Sequence, residues 1–207
     1  MIGVVDYGMG NLHSVEKALQ RLGARALRLH TADNLNEVQA LLLPGVGAFD
    51  PAMQRLEAGG WITPLRQWVE SGRPLLGICL GLQLLFESSA EGNRPGLGLL
   101  AGRVEALPEA AGERVPHMGW APLQAGTASP LLPDQGDPGW MYFVHSYAAV
   151  PQHSECITAT APYGDGRVVA AVGRGQLQAT QFHPEKSGRS GLQLLTNWLE
   201  SLGPNGR

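Results

Sequence analysis

The sequence predicts an α/β protein: a doubly wound, mostly parallel sheet flanked by helices, with an added antiparallel or mixed sheet in its second half. Three observations carry that expectation. Short apolar runs at 1–5, 26–29, 41–43 and 75–78 alternate with helical patterns through the first half of the chain. The run at 75–78 is continuously apolar, as in a strand buried on both faces of a parallel sheet. From Gly92 to Gln178 the alternation gives way to Pro, Gly and short apolar stretches.

The elements follow in order. The first strand, 1–5, is broken by DYGMGN. Leu12, Val15, Leu19 and Leu22 share one face of a helix over 11–22, which Gly23 ends. Strands at 26–29 and 41–43 come next, the latter stopped by Pro44-Gly45-Val46-Gly47. Asp50 followed by Pro51 reads as a helix start with Asp50 as the cap. A further helix fits 61–71, and the strand at 75–78 leads into a helix over 80–88. Later strands are expected at 102–105, 140–144, 156–160, 168–172 and 178–182. Leu192, Leu195, Trp198, Leu199 and Leu202 mark the core face of a closing helix. One domain is expected over 1–202, with a disordered tail at 203–207.

Composition narrows the function classes. The 207 residues suffice for one sizeable core, and 43% hydrophobic with 16% charged residues indicates a globular chain. The net charge is -3, with no Lys/Arg run, so nucleic acid is not an expected partner. No apolar run approaches membrane-spanning length. The start MIGVVDYGMGN lacks the charged head and long apolar core of a secretion signal, so a cytoplasmic setting is expected. Cys79 and Cys156 are too few for a disulfide framework. No metal-ligand spacing occurs, and neither a metal nor a cofactor is expected. DYGMGN resembles half of a dinucleotide loop but lacks the third glycine, and no acid ends the second strand.

Chemistry concentrates at PLLGICLGLQLLF, where Cys79 stands between Gly77 and Gly81 at a strand–helix corner. Gly-x-Cys-x-Gly there matches a nucleophile elbow. The elbow residue is forced toward positive φ, and its neighbours two residues away approach too closely to carry side chains. The thiol is thereby lifted above the sheet edge, where helix N–H groups favour a negative sulfur and the Leu80 N–H faces whatever the sulfur attacks. Cys156 has no glycine corner and reads as a core residue within a strand.

A thiol nucleophile needs a base and a group to orient it. QFHPEKS supplies His183 and Glu185, two apart on an extended segment and so on the same side, with Pro184 fixing the backbone between them. The carboxylate can then set the tautomer and support an imidazolium. Gln83 lies one helical turn past Cys79 on the same face. His13, His30 and His153 read as surface or packing residues. His117 in PHMGW and His145 in YFVHSY sit in denser segments without a derived role.

GICLGLQLLFE together with QFHPEKS resembles the class I, triad-type glutamine amidotransferases, whose fold is flavodoxin-like. The resemblance runs from Asp6 to Ser187 with its motifs in order. It implies that Cys79 attacks the side-chain amide of L-glutamine, that His183 moves protons, and that Glu185 holds His183. The oxyanion would be met by Leu80 and by the Gly45, Val46 and Gly47 segment. Gln83, Glu91, Ser146 and Tyr147 match substrate-binding positions, with a solvated acid as the other reading of Glu91. PGVG, DYGMGNL and PHMGW resemble a branch whose ammonia goes through a tunnel to a separate (β/α)8-barrel cyclase subunit of histidine biosynthesis, giving a heterodimer. Asn11, Trp120 and Tyr142 match positions near that interface, with a core role as the other reading of Trp120. Rival readings are another glutaminase of the family, such as that of pyridoxal phosphate synthase, a non-catalytic module of the same fold, or a flavodoxin-like cysteine hydrolase.

Overall fold

A computed structural model describes residues 1–108, 114–132 and 138–203. The first half runs β1 (Ile2–Val5), α1 (Leu12–Arg21), β2 (Ala26–Leu29), β3 (Ala40–Gly45), α2 (Phe49–Ala58), α3 (Ile62–Glu70), β4 (Leu75–Cys79) and α4 (Leu80–Gln83). The second half adds β5 (Ser88–Ser89), β6 (Gly102–Ala106), β7 (His117–Pro122), β8 (Gln124–Ala125), β9 (Trp140–His145), β10 (Tyr147–Pro151), β11 (Ile157–Tyr163), β12 (Gly166–Arg174), β13 (Leu177–Thr180) and α5 (Gly188–Ser201).

The central sheet has eight strands in the order β2-β1-β3-β4-β13-β12-β11-β8. Pairing is parallel from β2 through β13 and antiparallel beyond it. The expected antiparallel addition is therefore partly the same sheet continued. Two small sheets stand apart from it: β10-β6-β5 and the ribbon β7–β9.

Strand alternation assigns the two faces. Leu42, Leu76 and Ile78 join Val15, Leu19, Leu194, Leu195 and Trp198 in one core. Leu41, Leu43 and Leu75 join Phe49, Met53, Leu56, Leu65 and Trp68 in the other. Helices α1 and α5 thus cover one face and α2 and α3 the opposite one, the doubly wound arrangement. All five residues of β4 are buried, which is why its sequence shows no polar alternation.

Several local expectations are corrected. Asp50 does not cap α2: the helix begins at Phe49, and the Asp50 carboxylate instead accepts from the N–H groups of Asn93 and Arg94 at 3.0–3.1 Å. The helix expected over 80–88 stops at Gln83. Its next carbonyls are taken by a crossing segment: Leu84 O accepts from Leu97 N and Leu85 O from Leu99 N, both at 2.8 Å. Cys156 ends a 3-10 turn, Ser154–Cys156, just before β11 rather than lying within the strand, and its thiol donates to His153 O at 3.0 Å. Glu185 lies in the 3-10 turn Pro184–Lys186, not on an extended segment. The strands at 88–89, 117–122, 124–125 and 147–151 were not foreseen. Of the tail expected at 203–207, residues 204–207 lie outside the described residues. Among the described residues no helix is long and apolar enough to cross a membrane.

Candidate active site

Cys79 is the last residue of β4 and the residue before α4. Among the described residues it is the one non-glycine with positive φ, at 55°. Such backbone is strained for a side-chain-bearing residue and persists where its surroundings impose it. The surroundings are the two glycines. A Cβ on Gly77 would come 2.9 Å from the Gly81 carbonyl oxygen, and one on Gly81 would overlap the Leu43 carbonyl oxygen of β3. Gly81→Ala must therefore push α4 off β3. A loss of about 3 kcal/mol or more in unfolding free energy is expected by urea titration. An unchanged midpoint would refute the close approach. Since α4 has four residues, the corner offers the sulfur a few local N–H groups rather than a long helix dipole.

His183 and Glu185 meet this corner from the end of β13. Nδ1 of His183 and Oε1 of Glu185 are 2.7 Å apart, with both side chains 2% exposed. The backbone pins them. His183 N–H donates to Tyr142 O at 3.0 Å, Ser187 Oγ donates to His183 O at 2.6 Å, and Tyr142 N–H donates to Ser187 Oγ at 2.9 Å. The other imidazole nitrogen is buried and has no hydrogen-bond partner among the described residues. Burial alone would push His183 down, but the neighbouring Cys79 sulfur and the Glu185 carboxylate override it and hold the imidazole up at about 9. The structure thus brings the sulfur, which the sequence leaves far away, to the same site as the ring and its acid.

Two of the three groups, the sulfur and the ring, open onto a cavity of about 320 Å³, and Glu185 lies outside its lining. Cys79 and His183 line it, together with Val46, Gly47, Leu80, Gln83, Glu91, Pro116, Val144, His145, Ser146 and Tyr147. Of the expected oxyanion segment, Gly45 is the exception. It is buried outside this lining, where a Cβ would come 3.0 Å from Leu80 Cβ and 3.3 Å from Gly81 N. Val46 is exposed, and Gly47 has φ +109°, a conformation that favours glycine.

Gln83 is buried, and its amide donates to Tyr147 O at 3.0 Å and to Gln181 Oε1 at 3.1 Å. Its first task is thus to tie α4 to β10 and to the residue that follows β13. Glu91 is not merely solvated: Oε2 accepts from Phe49 N at 2.9 Å and so holds the start of α2 beside the cavity. Ser146 and Tyr147 lie where β9 passes into β10.

Sequence reasoning missed two residues here, Gln181 and Tyr7, and singled out a third, His145, without a role. Gln181 is fully buried, and its amide lies 3.8 Å from Cys79 Sγ as a donor. Its signal is a glutamine placed just ahead of QFHPE at the end of an apolar strand. His145 lines the cavity, with Nδ1 2.8 Å from Tyr147 O and Nε2 3.2 Å from His117 Nδ1. Since a carbonyl only accepts, Nδ1 carries the proton. Burial, then the neighbouring imidazoles, push His145 down to about 4 despite the Tyr147 bond, so it stays neutral. Tyr7 packs beneath Gly45. His13, His30 and His153 are exposed, as expected.

The interface candidates divide. Asn11 is exposed and caps α1, accepting from Ser14 N at 3.4 Å. Trp120 is 52% exposed, which removes its reading as a core residue. It stands opposite Tyr142 across the β7–β9 ribbon, the rings edge-on with centroids 6.0 Å apart.

The family model for glutamine amidotransferase class-I matches residues 3–202. The chain is 57% identical over 201 residues to the imidazole glycerol phosphate synthase subunit HisH of Synechococcus sp. (strain CC9605), covering 97% of this chain and 94% of that protein. It is 56% identical to the subunit HisH 2 of Parasynechococcus marenigrum (strain WH8102), covering 97% and 95%. A solved glutamine amidotransferase superposes with a TM-score of 0.73 at 26% identity, covering 98% of both chains. PurLQS from Thermotoga maritima shares the fold, with a TM-score of 0.75 at 21% identity over 97% and 98% of the two chains. With a strained cysteine corner, a buried histidine–carboxylate pair and a match along nearly its whole length, the chain belongs to the class I glutamine amidotransferases.

Proposed function

We propose that this chain is the glutaminase subunit of an imidazole glycerol phosphate synthase, with Cys79, His183 and Glu185 as its catalytic triad. The observation that carries the chemistry is the convergence on one cavity of the positive-φ cysteine and of His183, whose ring is held from behind by the buried Glu185. The near-full-length similarity to synthase subunits supports the pathway.

The Cys79 sulfur attacks the side-chain amide carbon of L-glutamine, and the carbonyl π pair moves to oxygen. N–H groups of Leu80 and of the Val46–Gly47 segment meet that oxyanion; each such donor contributes about 3 kcal/mol in comparable sites. His183 enters this step as an imidazolium, because its partners hold it protonated. It gives a proton to the departing nitrogen as the C–N bond breaks, and ammonia leaves. The sulfur is now a neutral thioester and no longer holds a proton on the ring. His183 becomes a base, takes a proton from water, and the resulting hydroxide expels the thiolate to give glutamate. One ring thus serves first as acid and then as base because its neighbour's charge changes between the steps. Gln83, Glu91 and the Ser146–Tyr147 backbone hold the amino-acid end of the substrate.

The ammonia goes to a separate (β/α)8-barrel cyclase subunit. It converts a phosphoribulosyl-formimino aminoimidazole carboxamide ribotide into imidazole glycerol phosphate and an aminoimidazole carboxamide ribotide. The outer face of the β7–β9 ribbon suits such a partner. It presents the cross-strand pairs Met118/Val144, Trp120/Tyr142 and Pro122/Trp140, with Met118, Trp120 and Trp140 all largely exposed. His183 hangs from Tyr142 by a backbone bond, so this ribbon joins the docking face to the catalytic ring. Trp120→Ala should weaken association by about 2–4 kcal/mol, roughly 30- to 1,000-fold, by titration calorimetry. Its unfolding midpoint should hold, since half the ring is already in water. Equal affinity would move the interface elsewhere.

Glutamate release tests the whole reading. The chain alone should turn over glutamine slowly, and the barrel subunit with its ribotide should speed it greatly. A chloroketone glutamine analogue should label Cys79. Equal rates with and without the partner would refute the coupling, and labelling elsewhere would refute the nucleophile.

A further inference from the structure

The DYGMGN loop holds a group that the chemistry of the triad leaves unused. The loop lies against the back of the oxyanion segment residue by residue. A Cβ on Gly45 would come 2.5 Å from the Tyr7 hydroxyl, one on Gly47 2.7 Å from Met9 Cε, and one on Gly10 3.5 Å from Pro44 Cγ. The loop is clamped in turn: Gly8 N–H donates to Asp6 Oδ1 at 3.1 Å, and Gly8 O accepts from Arg55 Nη1 at 3.3 Å. Tyr7 therefore presents a phenol at a fixed place beside Gly45, and Gly45 is the register partner of Cys79.

That hydroxyl has no hydrogen-bond partner among the described residues, although it is buried from water. A buried hydroxyl without a partner is unfavourable, and phenylalanine would fill the same space without it. The oxygen therefore calls for a second arrangement in which it is satisfied.

We propose that Tyr7 is a positioning residue: its hydroxyl donates to the Gly45 carbonyl when the Gly45–Val46 peptide turns its N–H toward the cavity. In a trans peptide the N–H and C=O point in opposite directions. Turning the Val46 N–H into the cavity sends the Gly45 carbonyl away from it. Val46 and Gly47 line the cavity, whereas Gly45 and Tyr7 lie outside that lining. The carbonyl then arrives on the phenol's side, and the pair holds the oxyanion donor in place. Burial, and then the charge of Cys79, raise the phenol above its ordinary range, so it remains a donor throughout. This inference rests on the glutaminase reading and deepens it.

Tyr7→Phe tests it, in the complex with the barrel subunit and ribotide. The expected result is a fall of about tenfold in kcat for glutamate release, the scale of one hydrogen bond. KM for glutamine should stay within about twofold, and the thermal midpoint should be equal or higher because the orphan oxygen is gone. Alkylation of Cys79 by iodoacetamide, which uses no oxyanion donor, should proceed at the wild-type rate. A kcat within about twofold of wild type overturns the proposal. So does a chain that loses stability or fails to fold, which would make the hydroxyl structural, or slowed alkylation, which would place its action on the sulfur. If the wild-type complex itself releases no glutamate, it is the glutaminase reading that fails.

Discussion

Cys79→Ala is expected to abolish glutamine-dependent synthesis by the complex while ammonia-dependent synthesis continues at the wild-type rate. No second thiol can substitute for it: Cys156 sits before β11 with its thiol given to His153 O, and burial raises that thiol further. Gln181 and Gln83 at the same corner are amides, not nucleophiles. Loss of a nucleophile of this kind costs on the order of 10⁶ in kcat, below ordinary detection. Ammonia supplied as a salt bypasses the glutaminase and reaches the cyclase directly. The fold should survive, because the elbow's strain lies in the backbone and alanine fits where the thiol sat. The measurement is imidazole glycerol phosphate formed with glutamine and, in parallel, with ammonium. Loss of both activities would make the cysteine structural and remove the nucleophile from the mechanism.

How far the sequence carries is clearest at this corner. The elbow was legible because its chemistry is local: two glycines flank one residue whose backbone they strain, and a continuous apolar run leads into it. The parallel half of the sheet was legible for the same kind of reason, each strand being a run bounded by glycine or proline. What escaped depends on distant neighbours. The helix after Cys79 looked long because Leu82, Leu84, Leu85 and Phe86 continue its pattern, but its carbonyls are claimed by residues 97–100, which no local spacing announces. Asp50 followed by Pro51 looked like a cap, yet the Asn93–Arg94 backbone competes for that carboxylate. His145, Gln181 and Tyr7 carry no motif of their own. Their meaning comes from neighbours in space: the His117 ring across the ribbon for His145, a sulfur for Gln181 and a glycine for Tyr7. Even His183 and Glu185 paired for a reason other than strand alternation, since the 3-10 turn after Pro184 brings the carboxylate back to the ring.

That pair sets the second large effect. Glu185→Gln keeps an oxygen able to accept from Nδ1 but removes the charge. The substitution takes the electrostatic contribution from His183 and leaves a weaker, uncharged acceptor, so burial, which pushes the imidazole down, is less opposed. The wild-type ring holds its proton up to about 9, against about 6.5 when unfolded. A raised folded value stabilises the protein fully below about 6.5, and that stabilisation is lost as pH rises through about 9. The same proton is the acid for departing ammonia, so kcat/KM should fall on the alkaline side near that value. In Glu185→Gln the alkaline limb should move to lower pH, and the rate at neutral pH should drop about 10²–10⁴-fold, the range typical of acid–base partners. The urea midpoint should also lose most of its decline between pH 7 and 10, because less proton affinity remains to be lost on unfolding. Profiles of glutamate release and of unfolding, taken together, separate this from a packing defect, which would lower stability equally at every pH. An alkaline limb unmoved by the substitution would mean that the carboxylate does not govern the ring, and that His183 owes its proton to the sulfur alone.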